Sequence, residues 1–448
     1  MRLRYLLIIA VLSSCKKDVG YDIVPTPNPQ VAVAKTNDTT YSIVSNFQII
    51  RRDVPVPLSE SANGTVYYND NIIIAPGSQE YLSPIHLVKK NNVWSVESDT
   101  YGKIIDRTRN TYKVDSTTVI WVNGGTEDAN NPTGNLYVSK TNHDNTLTWK
   151  KISPTNKPDF YHYAATGDID GDGISDIVSY EGVETESSEL TNLYLGTNYD
   201  NIKNTFPTSV EFEAALGYTS VDKKRVGAGF SFGSIAIGNV DTRTPQNELI
   251  LTSTKVIMNE YYSFIILNYN KTTRKFEITS VVKPGGALKD NRMAVGDVRV
   301  GDFNGDKISD IVVSMGDYND NSGVQVWLSD GNGNLVASDK KKALYGKAYG
   351  TVLFYSNIEV GKFRGNDCVF LHFEGSRYTP RPQTNLDLNP FLLVSNGDNE
   401  GFTHLANIPV QAKAPSYVKG YFENNALRLI GIRGVNTTEF EITDIVIK

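Results

Sequence analysis

One short run of β-forming residues recurs seven times along this chain, and that repetition restricts the possible folds more than any other feature. Each copy is rich in Ile, Val or Leu, and most copies end in a small or turn-forming residue. Successive copies start 47 to 72 residues apart. A regular spacing of this length indicates a repeat architecture in which each unit is one supersecondary element. The copies are Asn71–Gly77, Thr118–Gly124, Asp176–Gly182, Glu248–Thr254, Asp310–Gly316, Cys368–Gly375 and Leu427–Gly434.

Each copy has further apolar runs beside it, such as Ala294–Val298 before the fifth copy and Val324–Leu328 after it. Four strands per unit, seven times, predict an all-β chain folded as a seven-bladed β-propeller with four-stranded antiparallel blades. The last unit stops at Lys448 after its third strand, and Tyr41–Ile50 precedes the first complete unit. We therefore expect the ring to be closed by this N-terminal strand, which would complete blade seven and pair its edge. The alternative is an N-terminal extension outside the ring.

The first 14 residues are expected to be a lipoprotein signal peptide. Arg2 and Arg4 precede the apolar stretch Tyr5–Leu12, which is far shorter than the roughly 20 residues that span a bilayer. The sequence Leu-Ser-Ser-Cys that ends at Cys15 resembles a bacterial lipobox. That resemblance implies cleavage before Cys15 and attachment of lipid to it, whereas an ordinary secretory peptide is the alternative. No later segment is long and apolar enough to span a membrane, so the lipid is expected to be the only membrane anchor.

Residues 15–40 are expected to form a flexible tether, because Pro25, Pro27 and Pro29 accompany few large apolar side chains. The sequence Lys-Lys-Asp directly after Cys15 is similar to the export signals of surface lipoproteins in Bacteroidetes-type bacteria. It predicts an outer membrane lipoprotein exposed at the cell surface, although a lysine pair could equally contact anionic headgroups. Residues 41–448 are then the propeller domain.

Two loops between the first and second strands of a unit have the pattern of a calcium site. Oxygen side chains occupy positions 1, 3, 5 and 9, and position 7 offers a backbone carbonyl. Calcium takes six to eight hard oxygens, and carboxylates this close repel one another without a cation. We predict two structural calcium sites, because the ligands leave no open position for catalysis; metal-free Asp/Gly turns are the alternative. The predicted ligands are Asp168, Asp170, Asp172, Ile174 and Asp176 in the first loop, and Asp302, Asn304, Asp306, Ile308 and Asp310 in the second.

These loops also carry a family resemblance. Gly167–Asp176 and Gly301–Asp310 resemble the FG-GAP or VCBS repeat of integrin-α-like propellers, and Phe232–Asp241 resembles its "FG" half. The resemblance implies a calcium-bearing seven-bladed propeller that is usually extracellular and often adhesive. Blades four, six and seven depart from the motif, and in blade four Arg243 stands where a carboxylate should be. We expect no calcium in these three loops, with Lys or Arg as the countercharge or a turn that closes unaided.

The topology of a four-stranded blade predicts which face binds a ligand. The two calcium loops lie on one face, whereas the long loops between second and third strands and the connectors between blades lie on the other. The connectors 217–230, 283–293 and 339–355 contain ten Lys or Arg and three Asp, with Tyr interleaved. Cations beside aromatic rings suit sugar stacking and carboxylate recognition; unrelated solvated charges are the alternative. The candidate ligand-face residues are Lys223, Lys224, Arg225, Arg292, Tyr345, Lys347, Tyr349, Arg377 and Tyr378.

The net charge and the sequence motifs together restrict the classes of function that this protein can have. A formal net charge of −6 and a pI near 5.5 argue against a nucleic-acid partner, and no nucleophile or protease signature is present. We expect a calcium-stabilised, non-enzymatic surface lipoprotein that binds a glycan or protein partner on the long-loop face. A polysaccharide lyase or glycoside hydrolase on the same propeller is the alternative. Cys368, in an apolar run, is predicted to be a buried and inert thiol.

Overall fold

The structure is a computed structural model of the whole chain. It describes residues 23–24, 30–36, 39–51, 65–75, 83–98, 101, 108–123, 134–153, 161–181, 189–202, 205–216, 232–253, 264–282, 294–316, 322–345, 357–372, 391–395, 401–405, 418–434 and 439–448.

The described residues are almost entirely β-structure, with one short helix, α1 at Ser209–Leu216. The strands form seven separate antiparallel sheets, six of which have four strands in chain order. This confirms the predicted all-β, seven-bladed propeller with four-stranded blades.

The strands of the first six blades are as follows. Blade one contains β4 (Thr65–Tyr68), β5 (Asn71–Ile74), β6 (Ile85–Lys90) and β7 (Val93–Ser98). Blade two contains β8 (Thr108–Lys113), β9 (Thr118–Asn123), β10 (Asn135–Thr141) and β11 (Leu147–Lys151). Blade three contains β12 (Tyr161–Gly167), β13 (Asp176–Glu181), β14 (Glu189–Leu195) and β15 (Asp200–Ile202). Blade four contains β16 (Phe232–Gly238), β17 (Glu248–Ser253), β18 (Phe264–Asn270) and β19 (Lys275–Val282). Blade five contains β20 (Ala294–Gly301), β21 (Asp310–Gly316), β22 (Ser322–Ser329) and β23 (Leu335–Tyr345). Blade six contains β24 (Asn357–Phe363), β25 (Asn366–His372), β26 (Phe391–Ser395) and β27 (Phe402–Leu405).

Blade seven joins the two ends of the chain. It contains β28 (Val418–Glu423), β29 (Ala426–Gly434) and β30 (Glu439–Ile447), and β3 (Thr39–Arg51) pairs antiparallel with β30 as its outer strand. The Gln48 side chain of β3 also reaches blade one, where its amide nitrogen donates to the Trp94 carbonyl at 2.5 Å and its oxygen accepts from the Trp94 amide at 2.8 Å. The predicted closure of the ring by an N-terminal strand is therefore confirmed.

Part of the segment expected to be a flexible tether forms strands instead. β1 (Ile23–Val24) and β2 (Gln30–Thr36) both pair antiparallel with β3. The physical reason is that β3 is 13 residues long and has a second edge, whose backbone donors and acceptors need partners. The signal peptide and Cys15 lie outside the described residues.

The hydrophobic core lies between neighbouring blades. In β17, Leu249 and Leu251 pack toward blade three, whereas Ile250, between them, packs toward blade five. Because successive side chains of a strand point to opposite faces, a strand buried on both faces has a continuous apolar sequence. This is why the seven repeated runs show no alternation of polar and apolar residues. Cys368 belongs to one of these clusters and is fully buried, as predicted, and burial raises the pKa of its thiol to about 12.

The first strand of each blade is the innermost, and a series of glycines lets these strands pack closely. A Cβ on Gly238 would lie 2.8 Å from a methyl group of Val300 in the next blade, and Gly167 faces Ile237 in the same way at 2.4 Å. Gly301 and Gly361 repeat the arrangement with the blades that follow them. These glycines accept a side chain from the neighbouring blade, which sets the spacing of the inner strands.

Candidate functional site

The two predicted calcium loops connect β12 to β13 and β20 to β21, and the carboxylate at position 1 organises each of them. In the first loop, Asp168 accepts hydrogen bonds from the backbone amides of Gly171, Asp172 and Gly173 at 2.6–3.0 Å. In the second, Asp302 accepts from the amides of Gly305 at 2.7 Å and Lys307 at 3.0 Å. The chain therefore wraps around one carboxylate in each loop.

Positions 3 and 5 have matching contacts in the two loops. The Asp172 amide donates to Asp170 at 3.1 Å, and the Asp306 amide donates to Asn304 at the same distance. The amides of the following isoleucines, Ile174 and Ile308, donate at 2.8 Å to Asp172 and Asp306, respectively. The two loops thus share these hydrogen bonds although their sequences differ at positions 2, 3 and 6.

The carboxylate at position 9 lies at the base of each loop and is shielded from solvent. Asp176 accepts from the amides of Ile169 and Gly196, both at 2.9 Å. Asp310 accepts from the amides of Phe303 and Ser329, again at 2.9 Å. Burial is the largest influence on both groups, and it raises the pKa of Asp176 to about 6 and that of Asp310 to about 7.

Three of the predicted ligands of the first loop converge. Carboxylate oxygens of Asp168, Asp170 and Asp176 all lie within 4.8 Å of one another. Asp172 is not part of this group; its side chain accepts a hydrogen bond from the Ile174 amide. Burial and the neighbouring carboxylates of Asp172 and Asp168 raise the pKa of Asp170. Carboxylate oxygens of this kind are the ligands that Ca²⁺ prefers.

The corresponding loops of blades four and six have a cationic side chain beside their carboxylate. In blade four, the Arg243 guanidinium donates to both oxygens of Asp241, at 2.7 and 2.5 Å. This hydrogen bonding lowers the pKa of Asp241. In blade six, the Lys362 ammonium lies 3.1 Å from Asp367. No such ion pair reaches the acidic loops of blades three and five from any residue that the structure describes.

The predicted ligand face falls mostly outside the described residues. This holds for eight of the nine candidates: Lys223, Lys224, Arg225, Arg292, Lys347, Tyr349, Arg377 and Tyr378. Tyr345 is the last residue of β23 and pairs with Ser322. The segment 339–345, which was assigned to a connector, is therefore part of a strand. Lys341 is fully buried there, and its ammonium donates to the Ser395 hydroxyl at 2.9 Å, so it is unavailable to a ligand.

A cavity of 460 Å³ lies among the innermost strands, and no sequence motif pointed to it. Most of its lining comes from the later part of these strands and the turns that follow, so it lies toward the face with the acidic loops. The lining residues are Val66, Thr111, Tyr112, Lys113, Thr166, Arg299, Glu359, Val360, Gly361, Lys362, Lys419, Gly420, Tyr421, Phe422, Glu423, Asn424 and Asn425.

One side of the cavity contains a buried ion pair. Arg299 donates to the Asp297 carboxylate and, at 2.9 Å, to the Val298 carbonyl. Its guanidinium lies 5.5 Å from the ring centre of Tyr112, and the Ser234 hydroxyl donates to Asp297 at 3.1 Å. Burial raises the pKa of Asp297 to about 6 even though Arg299 opposes that change.

The other side contains two lysines. The Lys419 ammonium donates to the Thr111 hydroxyl at 3.0 Å and lies 3.6 Å from a carboxylate oxygen of Glu359. Lys113 is exposed to the cavity although protein atoms surround most of its side chain. Desolvation lowers the pKa of both lysines. Charged residues in the inner strands, such as Arg299 in Val-Arg-Val, were the sequence signal that could have indicated this cavity.

Comparisons with known proteins give structural similarity at low sequence identity. No protein-family profile matches the chain, and no curated protein matches it. Among solved structures, the chain is similar to one from a complex of S. cerevisiae Dbp5 with Nup159, Gle1, IP6 and ADP. That match has a TM-score of 0.42 and 9% sequence identity, and it covers 90% of this chain and 95% of the other. Within the described part of the chain, the single helix is too short to cross a membrane.

Proposed function

We propose that this protein is a calcium-stabilised surface lipoprotein of the FG-GAP or VCBS type, whose propeller binds a glycan or protein partner without chemical turnover. The observation that carries the proposal is the convergence of Asp168, Asp170 and Asp176, whose oxygens lie within 4.8 Å of one another. Three carboxylates at this separation need a cation, and hard oxygens in a tight loop suit Ca²⁺.

The contrast between blades strengthens the calcium proposal. Where the motif is incomplete, Arg243 or Lys362 provides the positive charge from within the protein. Where the motif is complete, no ion pair from the described residues reaches the carboxylates; Lys271 acts on Asp170 only from a longer distance, and a bound divalent cation would take the place of the paired cation. In the second loop, Asn304 replaces one carboxylate by an amide oxygen, which calcium sites also use.

The calcium would act on structure. The proposed ligands are also the acceptors that hold each loop in its conformation, and Asp176 and Asp310 anchor it to neighbouring strands. Calcium would neutralise these carboxylates and stabilise blades three and five at the face opposite the long loops. The long loops, carried by a rigid ring, would then bind the partner.

The alternative is a polysaccharide lyase or glycoside hydrolase on the same scaffold. The observation that favours it is the convergence of Tyr112, Lys113, Arg299 and Lys419 around one cavity. We prefer the binding function, because Arg299 and Lys419 have structural contacts of their own. The two carboxylates in the lining are also engaged, Glu359 with Lys419 and Glu423 with the Tyr67 hydroxyl.

One experiment with two readouts tests the proposal. The full chain and its Cys15→Ala variant are expressed in a bacterium with an outer membrane and fractionated, and the released variant is screened on a glycan array with calcium or with a chelator. We expect the parent chain in the outer membrane fraction, the variant in soluble fractions, and glycan binding that charge reversal at Lys223, Lys224 and Arg225 weakens. Retention of the variant in membranes would refute lipid anchoring. Cleavage of an arrayed acidic polysaccharide would favour the enzyme.

A further inference from the structure

In the cavity among the innermost strands, called the axial cavity from here on, two lysine ammonium groups lie beside the same aromatic ring. Lys113 comes from β8 and Lys419 from β28, and each ammonium lies 5.8 Å from the ring centre of Tyr421. The charge of Lys419 contributes to lowering the pKa of Lys113, so the two ammonium groups repel each other. Two like charges in a partly desolvated site are stabilised when an anion lies between them.

The two carboxylates of the cavity attract these lysines, but neither accepts a direct hydrogen bond from them: Glu423 and Glu359 both oppose the lowering of the pKa of Lys113, and Glu359 forms an ion pair with Lys419. Glu423 is occupied elsewhere, because its oxygens accept from the Tyr67 hydroxyl at 2.8 Å and the Asn69 amide at 3.2 Å. Glu359 lies 3.6 Å from the Lys419 ammonium, beyond the usual length of a direct hydrogen bond. Lys113 forms no ion pair with any described residue.

The balance of charge in the lining favours an anion that carries a single negative charge. Four cations line the cavity, namely Lys113, Arg299, Lys362 and Lys419, against the carboxylates of Glu359 and Glu423. Arg299 is paired with Asp297, and Lys362 with Asp367. The lysine pair is thus the part of the lining whose ammonium groups have no carboxylate within hydrogen-bonding distance, and a bound carboxylate would supply one. The Glu359 carboxylate beside the pair would repel a dianion more strongly than a monoanion.

We propose that the axial cavity binds a monosaccharide acid, with its carboxylate held between Lys113 and Lys419. The Glu359 carboxylate can accept hydrogen bonds from sugar hydroxyls, and the Thr111 hydroxyl is a further polar partner. A volume of 460 Å³ lies within the range of about 300–1,000 Å³ that is usual for small-molecule sites. The residues that line this site are neither the proposed calcium ligands nor the candidate ligand-face residues, so it is a further site beside those of the proposed function.

Titration calorimetry of the full-length chain with glucuronate tests the proposal, with glucose as the neutral probe of the same ring. We expect glucuronate to bind and glucose to bind about tenfold more weakly or not at all. Lys113→Met removes one ammonium at a position exposed to the cavity and should weaken glucuronate binding about tenfold. Lys90→Met is the matched control, because that exposed lysine is paired with Glu97 and does not line the cavity; the affinity of this variant should stay within about twofold of the parent.

Glu359→Gln provides a test that loss of folding cannot mimic. It removes the carboxylate that competes for Lys419, so glucuronate should bind more tightly than to the parent chain. Three results would overturn the proposal: no glucuronate binding at millimolar concentrations, equal binding of glucose, or unchanged affinity in Lys113→Met.

Discussion

At the scale of single residues, the two acidic loops differ at position 6, where both backbones have a positive φ. The first loop has Gly173 there with φ of 83°, and the second has Lys307 with φ of 70°. Side chains other than glycine are strained in this region. A Cβ on Gly173 would meet no atom within 4 Å, so a substitution there changes backbone strain alone.

This difference gives a pair of matched substitutions. Lys307→Gly should raise the free energy of unfolding by about 1 kcal/mol, and Gly173→Ala should lower it by about the same amount. Urea unfolding of both variants in the presence of calcium measures the two changes. Equal free energies of unfolding for Gly173→Ala and the parent chain would contradict the prediction that a side chain at this positive φ destabilises the protein.

Burial of one histidine predicts how stability depends on pH. His86 is fully buried; one ring nitrogen contacts the Asn71 side chain at 2.7 Å and the other the Tyr101 hydroxyl at 3.1 Å. Burial lowers its pKa to about 4 from 6.5. The unfolded chain therefore binds a proton below pH 6.5, and the folded chain does so only near pH 4. Stability from this group is present above pH 6.5 and is lost as the pH falls toward 4.

The size of this loss of stability follows from how far burial lowers the pKa of His86. By pH 4 the histidine should cost about 3 kcal/mol of stability relative to neutral pH. His86→Gln removes the titrating group, so its stability should fall less than that of the parent between pH 7 and pH 4.5. Urea unfolding at both pH values measures the difference, and parallel losses in the two chains would contradict the assignment.

At the scale of elements, the inner strands pack through glycines that accept side chains from the next blade. Gly238→Ala should lower the free energy of unfolding by about 1–3 kcal/mol, because the new methyl group would lie 2.8 Å from Val300. Adding Val300→Ala removes the two methyl groups nearest to the clash. The double variant should therefore lose less than the sum of the single losses, with a coupling of about 1 kcal/mol. Additive losses in urea unfolding would mean that the strands separate to accommodate the methyl group.

The strands could be predicted from the sequence because the second strand of each blade is buried on both faces. Runs such as Leu249–Leu251 in β17 are continuous and apolar for this reason, and the recurrence of such runs indicates the number of blades. The contacts of Gly238, and the position of Lys113 and Lys419 beside the same ring, could not be predicted from the sequence. Both depend on distances between strands of different blades in the closed ring. The sequence predicts a tether at β2 because three prolines precede it and it lacks large apolar side chains, whereas the structure pairs it antiparallel with β3, the next strand in the chain.

At the scale of the whole molecule, the ring has charged groups at two separate places. The acidic loops lie at the turn ends of blades three and five, and the axial cavity is lined by strands from blades on both sides of the ring. β3 joins blade seven to blade one through Gln48 and Trp94, so the residues that line the cavity are held by a closed ring. Calcium at the loops would stabilise two blades of that ring, and a stable ring would hold Lys113 and Lys419 in place.

The most direct test of this account is the number of calcium ions bound per chain, measured by native mass spectrometry after equilibration with calcium. We predict two ions for the parent chain, one for Asp168→Ala, which removes the carboxylate at position 1 of the first loop, and none when Asp302→Ala is added. Asp200→Asn, at an exposed position in β15, should still bind two. A parent chain that binds no calcium, or variants that all bind the same number as the parent, would contradict the calcium sites on which the proposed function rests.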